Sequence, residues 1–212
     1  MLLFVGMAGC TTMMPRRFSR LNEGQWQAKV LLRDKQTDHS GIVNVTIKAV
    51  KYNHLRLDIT SPMGTYLGSV TINGRQFNYL SVSDRTIYHM PANRRAMRAV
   101  LKVAMSPSVL YDVLFDNAPT GRNWVCHLDR YGYLHACMNN HEKLKILWLS
   151  RRADSRTIEI DDPQAQVQMD LYDFNAQISG LQTAFILKAP SSFKVKNFGY
   201  RQTSRSETFG RN

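Results

Sequence analysis

The sequence predicts a mainly β domain, a curved antiparallel sheet of about a dozen short strands interrupted once by a pair of helices. Three observations carry this. Short runs rich in Val, Ile, Leu, Tyr and Thr recur along most of the 212 residues, as half-buried strands require. Asn73-Gly74 separates two such runs and is the strongest short hairpin signal. Between Pro91 and Pro119 the apolar period changes from two to helical spacing.

Taken in order, the first runs are Gln25–Arg33, Ile42–Val50, Leu55–Thr60, Leu67–Ile72 and Gln76–Val82. Leu55, Leu57 and Ile59 alternate with Arg56, Asp58 and Thr60, the pattern of a sheet with one dry and one wet face. Met97, Val100, Leu101 and Ala104 then recur at helical spacing, with Arg94, Arg95, Arg98 and Lys102 on the opposite face. A second helix is expected from Ser106-Pro107, with Ser as cap and Pro in the first turn, burying Leu110, Val113 and Leu114. Strands resume as Trp124–Leu128, Tyr133–Met138, Leu144–Ser150, Arg156–Ile160, Val167–Tyr172, Thr183–Lys188 and Phe193–Phe198. A helix pair inserted midway cannot join the sheet, so it covers a face or an open end. That makes either a container with a lid or a solid core, and periodicity does not separate the two.

Composition narrows the class. The chain is 43% hydrophobic and 21% charged, with 28 Lys+Arg against 16 Asp+Glu for a formal charge of +12. It holds enough apolar residues for a real core and no apolar run of ~18 residues that would span a membrane as a helix. The basic excess points to nucleic acid, an anionic membrane surface or an acidic protein partner.

The first ten residues select among these. Met1 to Cys10 is a short apolar run ending in small residues before a cysteine, like the later part of a signal peptide. Met7-Ala8-Gly9-Cys10 resembles the lipobox of bacterial lipoproteins, with Met7 where Leu is usual. The resemblance implies a signal peptide over 1–9, acylation of Cys10, and, with Thr11 following, sorting to the outer membrane. Removing residues 1–9 removes no charged side chain, so the +12 belongs to the folded part. An exported protein is not expected to meet nucleic acid.

Cysteine usage agrees with export, because Cys126 and Cys137 remain as an even pair. A two-residue loop at Tyr131-Gly132 would set Arg130 opposite Tyr133, Leu128 opposite His135 and Cys126 opposite Cys137, a register that suits a cross-strand disulfide. Two free thiols, or a zinc site with His127 and His135, are the alternatives; in this register His127 faces away from the cysteines. The six histidines, His39, His54, His89, His127, His135 and His141, are scattered, with no His-Glu-x-x-His, Gly-x-Ser-x-Gly or phosphate-loop pattern. Asp161-Asp162 before Pro163 reads as a turn. No catalytic residue, cofactor or metal is assigned.

Arg56-Leu57-Asp58-Ile59-Thr60-Ser61-Pro62-Met63-Gly64, with the strand through Val70 and Ile72 and the helix pair after it, resembles the LolB family of outer-membrane lipoprotein receptors. The resemblance runs over most of residues 25–198. It implies a half-open antiparallel β-barrel of 11–12 strands, LolA/LolB-like, with helices closing its mouth over an apolar cavity that receives acyl chains. Leu55, Leu57, Ile59, Val70, Ile72, Met97, Val100, Leu101 and Leu110 are the candidate cavity wall. The Pro62-Met63-Gly64 turn is then the membrane-inserting loop. Arg94, Arg95, Arg98 and Lys102 would meet head groups or an acidic periplasmic lipoprotein carrier of the LolA kind. The expected organisation is a lipid-anchored tether over 10–24, a LolB-like domain over 25–200 and a flexible basic tail over 201–212. The implied function is a monomeric, non-enzymatic lipoprotein receptor in the inner leaflet of the outer membrane, facing the periplasm. A structural or regulatory envelope lipoprotein using the same fold to bind protein is the alternative.

Overall fold

The computed structural model describes residues 14–199. Cys10 and the 201–212 tail lie outside the described residues. The chain forms β1 (Glu23–Asp34), β2 (Ser40–Val50), β3 (His54–Thr60), β4 (Tyr66–Asn73), β5 (Gln76–Ser81) and β6 (Thr86–Pro91). Two helices follow, α1 (Arg94–Leu101) and α2 (Pro107–Leu114). Then come β7 (Trp124–Leu128), β8 (Leu134–Asn139), β9 (Leu144–Arg151), β10 (Arg156–Asp161), β11 (Ala165–Asn175), a short helix α3 (Leu181–Ala184) and β12 (Lys194–Asn197). All twelve strands belong to one open sheet in the order β12-β6-β5-β4-β3-β2-β1-β11-β10-β9-β8-β7. Every neighbour is antiparallel except β12, which runs parallel to β6. The sheet does not close, since β7 and β12 are both edges.

Alternation sets which face is inside. Trp26 and Ala28 on β1, Val45, Ile47 and Ala49 on β2, Leu55 and Leu57 on β3, and Val70 and Ile72 on β4 are buried on the concave side. The helices fill that side with Met97, Leu110, Val113, Leu114 and Phe115. Asn93 begins α1, its Oδ1 accepting from the backbone N–H groups of Arg95 at 2.9 Å and Ala96 at 3.0 Å. Pro107 opens α2 as expected, but the Ser106 hydroxyl pairs with Ser108 at 2.7 Å instead of capping the helix.

Four local expectations are corrected. The Asn73-Gly74 hairpin forms one residue later, with Asn73 paired to Gln76 and Gly74 in the left-handed region at φ +57. Residues 86–91, unassigned from sequence, form β6, because a tight turn with Arg85 at φ +47 sends the chain back along β5. Thr183–Lys188 is not a strand. This stretch crosses the convex face between β11 and β12, where Phe185 stacks on His54 at 5.1 Å. The carbonyls of Ala184 and Ile186 accept from Arg56 at 3.2 and 3.1 Å, so its backbone is satisfied by a side chain and needs no ladder.

The fourth correction concerns the cysteine hairpin. Cys126 does face Cys137, and they form a disulfide with Cα atoms 4.1 Å apart. A bulge follows, however, and Leu128 pairs with Leu134 instead of His135. The Asp129 carboxylate accepts the N–H groups of Tyr131 and Tyr133 at 2.8 and 2.9 Å and builds a longer turn than two residues allow.

The described part of the expected tether is packed down. Phe18 is buried, its ring 4.9 Å from Phe174 and 6.1 Å from Trp26. Arg16 pairs with Asp154, and the Tyr133 hydroxyl donates to the Pro15 carbonyl at 2.9 Å. Burying a ring of this size is worth ~2 kcal/mol, enough to hold a short segment on the sheet.

Candidate functional site

A cavity of about 670 Å³ lies on the concave side between β5, β6, the end of β12 and helix α1. The register places Phe77, Tyr79 and Ser81 of β5 against Met90, Tyr88 and Thr86 of β6 on that face. Tyr79, Tyr88, Met90, Val100 and Phe198 wall the cavity, and the small Ala96 and Ala99 of α1 leave it open. Tyr79 and Tyr88 stack at 5.8 Å with their planes 14° apart. Phe198 continues the stack at 6.0 Å from Tyr88. The wall is therefore a continuous aromatic surface that accepts methylene groups without demanding hydrogen bonds.

Polar groups sit at its margin. The Tyr88 hydroxyl donates to the Asp84 carboxylate at 3.1 Å. Hydrogen bonds from Ser81 and from Tyr88 hold Asp84 below the usual carboxylate range. Desolvation, then Asp84, raises Tyr88 above the ordinary phenol value, so it stays a neutral donor. Arg95 lines the cavity, and the Lys196 ammonium lies 5.7 Å from the Tyr88 ring. An apolar slot with cations at its rim suits a chain with an anionic or polar head.

The candidates named from sequence are placed differently from one another. Leu55, Leu57, Val70, Ile72, Met97 and Leu110 are buried together in one packed cluster. Ile59, Val100 and Leu101 are partly buried against it. Of these nine, Val100 alone lines the cavity. The inner faces of β3 and β4 meet the helices directly, which moves the open volume toward β5, β6 and β12. Tyr79, Tyr88, Met90 and Phe198 were not singled out, because without β6 their shared face is invisible. The signal available was the pairing of Tyr79 with Tyr88 across an unread hairpin.

The Pro62-Met63-Gly64 turn protrudes. The Gly64 N–H donates to the Ser61 carbonyl at 2.9 Å, and Gly64 takes φ +84. This turn leaves Met63 97% exposed, with Tyr66 and Leu67 half-exposed beside it. Met63 therefore does not fold back onto those neighbours. Among the lid cations, Arg95, Arg98 and Lys102 are exposed. Arg94 is occupied, donating to Glu142 at 2.6 Å and to the Ala104 carbonyl at 3.0 and 3.2 Å, and so it clamps the lid. Among the described residues no group of three His, Cys, Asp or Glu could hold a metal.

No protein-family model matches the sequence, and no curated protein does. Solved structures do match. A LolA superfamily protein from Nitrosomonas europaea superposes with a TM-score of 0.51 at 10% identity, over 83% of this chain and 93% of that one. A DUF1329 family protein from Desulfovibrio piger does so with a TM-score of 0.51 at 7% identity, over 80% and 91%. Twelve strands in an open curved sheet, two helices in its concave face and these superpositions identify a divergent LolA/LolB-like fold.

Proposed function

We propose that this chain is a non-enzymatic acceptor of acyl chains that takes part in receiving lipoproteins at the bacterial outer membrane. The observation that carries the reading is the aromatic-walled cavity of about 670 Å³ under α1. At ~30 Å³ per water-sized group it has room for about twenty methylenes, one long acyl chain. Moving such a chain through water exposes methylenes at ~0.8 kcal/mol each, and an apolar slot removes that penalty without any reactive group. The LolA-like fold supports the same reading.

In this proposal Cys10 carries the lipid anchor and the chain faces the periplasm from the inner leaflet. Met63 enters the membrane during delivery. The Met63 turn and the packed N-terminal segment leave the sheet at opposite strand ends. An anchored chain that also inserts Met63 touches the membrane at two separate places, which fixes its orientation there. Arg95, Arg98 and Lys102 offer a basic face to an acidic periplasmic carrier, and a steered encounter of that kind slows as salt rises.

The test is displacement of a fluorescent 16-carbon fatty acyl probe from the purified protein, followed by replacement of a cell's own lipoprotein receptor. Saturable binding and restored sorting, with Met63→Glu losing sorting but keeping probe binding, are expected. Absence of probe binding to the folded protein overturns the reading.

A further inference from the structure

A second cavity, about 240 Å³, lies at the strand ends where the N-terminal segment docks. Arg17, Asp116, Tyr133 and Arg151 line it, with the disulfide-bearing hairpin contributing Leu128 and Gly132. Its charge is unbalanced. Asp116 is the one acid lining it, and Asp116 accepts from Arg151 Nη1 at 2.7 Å and from Trp148 Nε1 at 2.8 Å. Behind it Arg156, its side chain 1% exposed, brings Nε to 3.5 Å from the same carboxylate. Among the described residues the Nε and Nη1 of Arg156 have no hydrogen-bond partner, while Nη2 donates to the Leu114 carbonyl. Its guanidinium carbon instead stands 3.9 Å over the Phe18 ring.

Arg17 and Arg151 flank the Tyr133 ring, their guanidinium carbons 4.5 and 5.4 Å from its centre. Arg151 and Arg156 thus share one carboxylate, while Arg17, exposed at the cavity's edge, donates to the Tyr131 carbonyl at 3.2 Å. Burial pushes Arg156 down to about 10, with Asp116 opposing the shift and Arg151 adding to it, so Arg156 stays charged at neutral pH. The two largely buried cations outnumber the one carboxylate between them, and a further anion entering the cavity offsets that excess.

We propose that this cavity is an anion site for a phosphate group, with Arg17 and Arg151 donating to its oxygens and Arg156 acting through Asp116. Guanidinium forks match phosphate geometry and strengthen in a partly dry site. At ~30 Å³ per water-sized group the volume holds about eight such groups, enough for a phosphodiester and too little for an acyl chain. Two sources share this chemistry, a phospholipid head group and free phosphate. The head-group source rests on the anchoring proposed above: Arg17 follows Cys10 by seven residues, a reach of at most ~25 Å. Phosphate binding itself does not depend on that anchoring.

Calorimetric and thermal-shift titrations of the full chain with inorganic phosphate and with glycerophosphoglycerol test this, with sodium chloride at matched ionic strength as reference. Neither probe carries an acyl chain, so failure here is separate from failure of the acyl cavity. Saturable binding that raises Tm is expected. Arg17→Gln, at an exposed position, is expected to weaken it at least tenfold. Arg130→Gln, on the same hairpin but outside the cavity lining, is expected to leave it unchanged. Tighter binding of the diester assigns the site to head groups, and tighter binding of inorganic phosphate assigns it to the free ion; both support an anion site. No saturable response beyond chloride, or a response untouched by Arg17→Gln, overturns it.

Discussion

Replacing Ala99 with Trp places an indole at the cavity without disturbing the core, because Ala99 is exposed on α1 and lines the open side. The substitution adds about nine heavy atoms and displaces roughly six methylenes of a bound chain, which at ~0.8 kcal/mol each is ~5 kcal/mol. A chain that bends around the indole recovers about half of that. The remainder is a loss of about a hundredfold in Kd. Helix propensity costs only ~0.5 kcal/mol, or ~1–2 °C in Tm for a domain of this size. Displacement of a fluorescent 16-carbon probe, read beside a melting curve, separates the two effects. Unchanged affinity in a folded Ala99→Trp protein would refute the assignment of acyl binding to this cavity.

Other outcomes follow from packing and charge. Phe18→Ala should cost ~3–5 kcal/mol in urea unfolding, since the ring lies among Trp26, Phe174 and Arg156; a loss under ~0.5 kcal/mol would mean the segment is a free tether. Replacing Cys126 and Cys137 together with Ser should remove ~2–4 kcal/mol, and reductant should lower the parent to the level of the variant. Asp112 is buried in α2 beside the Tyr52 hydroxyl, and burial raises its carboxyl above the ordinary value. The folded state therefore holds that proton more tightly than the unfolded state. Its contribution to stability is present below the ordinary carboxylate range and declines as pH rises through the raised value, so Asp112→Asn should flatten the fall of Tm with pH there.

Much of the fold was legible because alternation and turn chemistry are local. The alternation of Leu55, Leu57 and Ile59 places those residues on one face, and they do lie on the concave side. The pairing of Cys126 with Cys137 survived an error in the loop, because the bulge falls after the cysteine pair. Residues 86–91 were illegible for a local reason: Ile87, Tyr88, His89 and Met90 mix apolar and polar groups on both faces, as a strand near an edge can. The 183–188 stretch misled because its apolar side chains answer to the convex face of β2 and β3, at Val50 and His54, and not to a neighbouring strand.

The site was less legible than the fold. Inward apolar residues of β3 and β4 look alike whether they line a void or touch a helix, and here they touch α1 and α2. The aromatic wall needs β6 and β12 side by side, a parallel pairing between segments more than a hundred residues apart that no local pattern announces. Met63 was legible because its turn is self-contained. Pro and Gly bracket it, and nothing within reach covers it.

The most direct test of the central claim is photo-crosslinking in cells, with a photoreactive amino acid at Tyr88 on the cavity wall and, as reference, at Lys48 on the convex side of β2. The account predicts that Tyr88 captures acylated lipoproteins through their lipid chains and that Lys48 does not. Capture at Lys48 alone, or at neither position in cells that are sorting lipoproteins, would contradict it.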